Sequence, residues 1–291
     1  MTASSNRSRY FEVPVAAPSV PVRPVPGGRR RTSYRHPRRR NLDLTGDLWV
    51  TNFEQENACL YQGLGEHQYM DLARDTGIAA MGDLFVGFGT VARDFDGDGD
   101  PDIVVANGHV VYYPNKAYFE QQSILLENQE GKRFHRAEVS GDSFYSKRNA
   151  SRGVAAGDLD RNGTIDLVVT TLNGSPLVLS NQTSPAGKRI RLKLAGTRSN
   201  RSATGARIVL KSTAGERVGY LIGGGSYLSS SEQVCDFFVP EDAGECSATI
   251  YWPYGASQRV VGLLPGSDFI IWEQPGSEAA RSILMSSSEQ N

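Results

Sequence analysis

Gly89-Thr90-Val91-Ala92-Arg93-Asp94-Phe95-Asp96-Gly97-Asp98-Gly99-Asp100-Pro101-Asp102-Ile103-Val104-Val105 recurs 64 residues downstream as Gly153-Val154-Ala155-Ala156-Gly157-Asp158-Leu159-Asp160-Arg161-Asn162-Gly163-Thr164-Ile165-Asp166-Leu167-Val168-Val169. Each copy holds a nine-residue pattern, D-x-[DN]-x-[DN]-G-x-x-D, that leads at once into an apolar run. Oxygens at positions 1, 3, 5 and 9, with a backbone carbonyl at 7, can wrap one hard cation, and glycine at 6 permits the sharp reversal this needs. An EF-hand begins the same way but requires a bidentate Glu at position 12, where this chain has Val105 and Val169. The loop therefore feeds a buried strand, Ile103–Ala106 or Leu167–Thr170. The alternative is an acidic turn with no ion. Five aspartates between positions 94 and 102 would then repel one another, an objection that weakens for the less charged second loop. A wrap of many protein oxygens suits calcium better than magnesium, and the lack of His or Cys in either loop argues against transition metals.

A third copy is visible only by its tail. Asp47-Leu48-Trp49-Val50-Thr51-Asn52 parallels Asp102 to Asn107, but its upstream loop has Arg39 in place of the first Asp and Leu44 in place of Gly. Between loops, Ala58–Gly63 and Ile124–Gly131 read as strands entering turns, with Gln68–Leu72 and Arg133–Ala137 as their return strands. With the strand after each loop, this gives about four strands per repeat, which is a propeller blade. Lys116–Gln122 is the best candidate for a short helix.

Composition excludes several classes. No apolar run approaches the roughly 18 residues of a membrane span. Three cysteines cannot build a disulfide scaffold or a Cys-only zinc site, although Cys235 and Cys246 flank a hairpin and could pair, leaving Cys59 free. The formal charge of −1 hides a division. Residues 1–41 carry ten Arg against one acid, a net +9 that leaves −10 for the remainder. Six prolines interrupt this arm, so it reads as disordered and has no signal-like apolar core. A nucleic-acid arm is the sharper alternative, and the scarcity of interleaved aromatics argues against it.

From Arg189 the pattern changes to alternating strands without acidic loops: Ile190–Leu194, Ala206–Lys211, Val218–Leu221, Val234–Val239, Ala248–Trp252 and Phe269–Trp272. These predict an antiparallel β-sandwich or barrel over 186–275, followed by a disordered tail, 276–291. Gly223-Gly224-Gly225-Ser226 lacks the Gly-Lys-Ser/Thr of a phosphate loop and reads as a tight turn or bulge. The polar side chains of Arg198, Asn200, Arg201, Ser226, Tyr227 and Ser229 could line a ligand surface or scaffold turns. His109 reads as a turn histidine, and no nucleophile elbow or zinc-protease motif is present. Sequons begin at Asn149, Asn173 and Asn181.

Residues 46–183, and most clearly the two intact loops, resemble FG-GAP/VCBS repeats, the calcium-loop blades of integrin-type β-propellers. Gly196-Thr197-Arg198-Ser199-Asn200-Arg201, Thr204-Gly205-Ala206, Gly224-Gly225-Ser226-Tyr227-Leu228-Ser229 and Trp252-Pro253-Tyr254-Gly255 resemble the ASPIC/UnbV domain of the cartilage acidic protein and UnbV family. Phe237-Phe238-Val239-Pro240 stands where that family commonly has F-G-L-G.

The resemblance implies an all-β chain: an incomplete propeller of two to three blades over 42–183, then the ASPIC/UnbV β domain. It implies two structural calcium sites. Asp94, Asp96, Asp98 and Asp102 would be side-chain ligands of the first, with the Asp100 carbonyl. Asp158, Asp160, Asn162 and Asp166 would serve the second, with the Thr164 carbonyl. Family propellers have about seven blades, so the chain is expected to be the C-terminal part of a longer protein, to assemble with further blades or itself, or to leave an edge exposed. The expected function is non-enzymatic, calcium-bound interaction with a protein or glycan ligand, extracellular or periplasmic although no signal peptide is seen. An enzyme or biosynthetic accessory protein acting on a small molecule or glycan is the alternative.

Overall fold

The apolar run behind the first acidic loop is the most buried strand of the propeller part. The computed structural model describes residues 32–36, 47–65, 68–82, 84–138, 141–274, 280–281 and 283–284. Its early strands are β1 (Thr32–His36), β2 (Asp47–Thr51), β3 (Cys59–Gly65), β4 (Gln68–Asp71), β5 (Gly87–Arg93), β6 (Asp102–Asn107), β7 (Gln121–Gln122), β8 (Ile124–Gln129) and β9 (Arg133–Arg136). There follow β10 (Arg148–Asn149), β11 (Ser151–Gly157), β12 (Asp166–Thr171) and β13 (Leu177–Leu179). They form antiparallel sheets in the orders β1-β2-β3-β4, β5-β6-β8-β9 and β11-β12-β13. Among the described residues the third blade thus has three strands where four were expected.

All six residues of β6 are buried, as successive apolar side chains require when both faces of a strand are covered. Exposure then rises outward through β8 to β9, where Phe134 alone is buried. The first strand of the second blade, β5, lies beside both β1 and β11, the first strands of its neighbours. Trp49 on β2 ties the first blade to the second. Its indole N–H donates to the Thr90 hydroxyl at 3.0 Å, and that hydroxyl donates to the Val104 carbonyl at 2.8 Å.

Two sequence expectations fail in this part. Residues 116–122 form no helix: Gln121 and Gln122 are extended and pair with Asn149 and Arg148. The Gln121 side chain holds this backbone by accepting from the Val86 amide (2.8 Å) and donating to the Leu84 carbonyl (3.0 Å). Thr32–His36, within the stretch read as a disordered arm, is a strand paired with β2. The rest of residues 1–41, with Arg39, and also Leu44, lie outside the described residues.

The later strands are β14 (Lys188–Ala195), β15 (Arg207–Ser212), β16 (Gly215–Tyr220), β17 (Gly225–Ser226), β18 (Ser229–Ser230), β19 (Cys235–Val239), β20 (Cys246–Tyr251), β21 (Ser257–Leu263), β22 (Ser267–Trp272), β23 (Ala280–Arg281) and β24 (Ile283–Leu284). Two sheets, β19-β14-β22-β24 and β16-β15-β20-β21-β23, enclose one apolar core that includes Ile190, Leu192, Phe237 and Phe269 from one sheet and Ile208, Leu210, Ile250 and Val260 from the other. This is the sandwich that the alternating strands predict. It is not wholly antiparallel, because β14 and β22 pair in parallel from Ile190/Ser267 to Ala195/Trp272. Strand β21 was not foreseen. Cys59, Cys235 and Cys246 are not joined in disulfides.

Contacts divide the chain into two units, and the division is not a single cut. Residues to Phe95, 100–183 and 224–231 form the first; 96–99, 184–223 and from 232 onward form the second. The hairpin β17–β18 thus belongs with the blades. Among the described residues no sheet closes into a barrel, as an incomplete propeller requires.

Candidate metal centre

Both acidic loops take the same backbone path between the first and second strands of a blade. Gly99 and Gly163, at position 6, each have φ near +93°, a left-handed conformation open to glycine at little cost. Position 4 is also left-handed, with Gly97 in the first loop and Arg161 (φ 61°) in the second. At position 5 the amide turns inward to the position-3 carboxylate: Asp98 donates to Asp96 at 3.2 Å and Asn162 to Asp160 at 3.1 Å.

This folding gathers the carboxylates. Oxygens of Asp94, Asp96 and Asp98 lie within 4.8 Å of one another, as do oxygens of Asp158, Asp160 and Asp166. Burial, reinforced by Asp160 and Asp158 and opposed by the amides of Asn181 and Leu159, raises the Asp166 carboxyl above the usual carboxylate range. A cation would relieve that crowding, and an all-oxygen donor set on a reversed loop fits a hard ion such as calcium. In the second loop Thr164 donates through its amide to Asn162 Oδ1 at 2.8 Å and through its hydroxyl to the Asn181 carbonyl at 2.9 Å. The first loop has a different neighbour: Arg217 on β16 donates to the Gly99 carbonyl, and the Asp96 carbonyl accepts from Ala186 at 2.9 Å. Asp100 is buried.

The ninth position has a second job that sequence reading missed. Asp102 accepts from the Phe95 amide (3.1 Å) and, across the sheet, from the Asn128 amide (2.9 Å). Asp166 repeats both contacts, with Leu159 (2.8 Å) and Asn181 (2.8 Å). Each asparagine answers with its side chain, Asn128 Nδ2 donating to the Pro101 carbonyl at 3.0 Å and Asn181 Nδ2 to the Ile165 carbonyl at 3.3 Å. In the first blade Asp47, the ninth-position equivalent, accepts from the Gly63 amide at 3.1 Å. The clamp therefore persists where Arg39 and Leu44 stand in place of loop residues. A signal existed: Leu126-Glu127-Asn128-Gln129 and Leu179-Ser180-Asn181-Gln182 share the pattern L-x-N-Q.

Two acidic loops in register on blades, followed by a sandwich with the quoted turn motifs, match two family models in that order. The FG-GAP-like repeat model covers residues 94–169, and the ASPIC and UnbV model covers 196–278. The chain thus carries an FG-GAP-like repeat segment followed by an ASPIC and UnbV segment. Comparison with curated proteins gives no match.

The polar residues singled out in the ASPIC and UnbV segment are divided between the two units. Ser226, Tyr227 and Ser229 belong to the first unit, whereas Arg198, Asn200 and Arg201 belong to the second. There the loop Thr197-Arg198-Ser199 wraps the buried Glu273, whose Oε2 accepts from three successive amides at 2.9, 2.7 and 2.7 Å, while Oε1 accepts from the Ser199 hydroxyl at 2.7 Å. Burial opposes ionisation, but these donors outweigh it and hold the Glu273 carboxyl below its usual range. Arg198 stacks on Tyr254 at 4.3 Å. His109 is buried behind β6, where its Nδ1 accepts from the Val111 amide at 2.9 Å, as a turn histidine does. Asn181 of the last sequon is fully buried in the clamp, whereas Asn173 is exposed.

Proposed function

We infer that this FG-GAP-like repeat protein is a non-enzymatic interaction module that binds two structural calcium ions and works outside the cytoplasm, where calcium is abundant. The observation that carries the reading is the pair of three-carboxylate clusters on loops of identical backbone form. Asp94, Asp96, Asp98 and Asp102, with the Asp100 carbonyl, would hold the first ion; Asp158, Asp160, Asn162 and Asp166, with the Thr164 carbonyl, would hold the second. The ion supplies charge neutralisation and fixes the loop that ends each inner strand, so its binding energy acts as folding energy. The first loop offers four side-chain carboxylates against three, and ligand charge tunes affinity.

Calorimetric titration of the chelator-stripped chain tests this. We expect two sites, the Asp94–Asp102 loop tighter, with Asp96→Ala abolishing one and Asp160→Ala the other. A titration with no calcium-linked heat defeats the reading.

A further inference from the structure

Equivalent glycines show where one blade meets the next. Gly89 on β5 and Gly153 on β11 occupy the same place in their repeats. A Cβ at Gly89 would lie 2.6 Å from both the Arg152 carbonyl oxygen and the Val154 amide nitrogen, so the inner strand of the third blade sits directly against it. At Gly153 a Cβ would meet Thr170 of its own blade at 3.0 Å. Beyond that blade it would collide with the Ser229 hydroxyl and approach the Tyr227 carbonyl oxygen at 3.0 Å.

We propose that the hairpin Gly225–Ser230 occupies the seat of a next blade's inner strand, so that a segment of the chain's own C-terminal domain covers the open side of the propeller. The neighbouring Ser231 hydroxyl accepts from the Ala156 amide of β11 at 3.1 Å. Tyr227 meets Phe88 of β5 edge-to-face, with ring centroids 5.0 Å apart. Strand β17 approaches β1, β5 and β11, and β18 approaches β11. Strand β11 lies at the edge of its sheet, and a bare strand edge invites pairing with another chain.

The sandwich's core cluster passes from Leu221 to Cys235 and takes no residue from this hairpin. The hairpin tip supports the same assignment. Leu228 is 80% exposed yet has φ 46°, a conformation that L residues adopt rarely and that persists where its surroundings enforce it. Its flanks, Tyr227 and Ser229, are the residues seated on Gly153.

The test uses the full chain in two variants. One deletes residues 225–230; the other, Gly153→Leu, fills the seat with a side chain and leaves the hairpin sequence intact. Amide hydrogen exchange over residues 153–157 is expected to accelerate at least tenfold in both, with no change in β14 and β22. Light scattering is expected to show a mass above the parent's once the seat is free for a second copy. Leu228→Gly, which suits the left-handed turn and removes only an exposed side chain, keeps parent values in both measurements. Parent-like exchange in both variants overturns the proposal, as does an unchanged mass in the deletion. An increase in either measurement for Leu228→Gly also overturns it, because it would assign the effect to the tip side chain.

Discussion

The propeller blades and the ASPIC and UnbV sandwich both bury carboxylates, and they satisfy them differently. In the sandwich, Glu273 sits in a cradle of three backbone amides and a hydroxyl. In the blades, Asp102 and Asp166 receive two amides each, but Asp166 stands beside Asp158 and Asp160, and Asp94, Asp96 and Asp98 crowd together in the first loop. A lone carboxylate can be held by oriented N–H groups, whereas three within a few ångströms call for a cation. The difference separates the two parts experimentally: calcium should matter to the blades and not to the sandwich.

Asp166→Ala should show the largest effect. It removes a ligand and strips the Leu159 and Asn181 amides of their acceptor, and each stranded buried donor costs roughly 1–3 kcal/mol. A loss of about 4 kcal/mol is expected in calcium, measured by denaturant unfolding and reported by the blades. A loss below about 1 kcal/mol would blur the comparison, because the clamp would then not hold the strand.

Glu273→Ala comes next, with about 3 kcal/mol lost from the sandwich and the same loss with or without calcium. The pH dependence has a definite sign. The folded-state pKa of Glu273 is depressed, so its contribution is complete above the usual glutamate value near 4.5 and fades as pH falls through the lower folded value. Thermal midpoints of parent and Glu273→Gln should therefore converge as pH drops below about 4.5. Midpoints that stay apart by a constant interval to the lowest pH would contradict this account of the cradle.

Asp47→Ala is the smallest and the sharpest. One amide, Gly63, loses its acceptor, so about 1 kcal/mol is expected, independent of calcium. Dependence on calcium at this position would mean that the first blade also binds an ion, and the clamp could not be distinguished from a ligand.

The sequence made the repeat legible because ligand spacing is local. Nine residues define each loop, and the apolar run behind it announces a strand buried on both faces, which β6 bears out. The alternating segments of the sandwich were equally readable, since burial of one face imposes period two. What escaped depends on distant partners. The stretch 116–122 has acceptable helix composition, yet contacts of Gln121 with Leu84 and Val86 draw it out as an extended segment. The Gly-Gly-Gly-Ser run shows that a turn exists, but only folding reveals that its hairpin packs on Gly153, more than seventy residues earlier. The parallel pairing of β14 with β22 leaves no mark in either strand's own pattern.

Calorimetric unfolding of the full chain, with saturating calcium and after exhaustive chelation, tests the central claim most directly. At a hundredfold excess over Kd each site stabilises the folded state by about 2.7 kcal/mol. The blade transition should therefore shift upward in calcium while the sandwich transition, identified with Glu273→Ala, stays in place. Coincident traces in calcium and chelator would contradict the account.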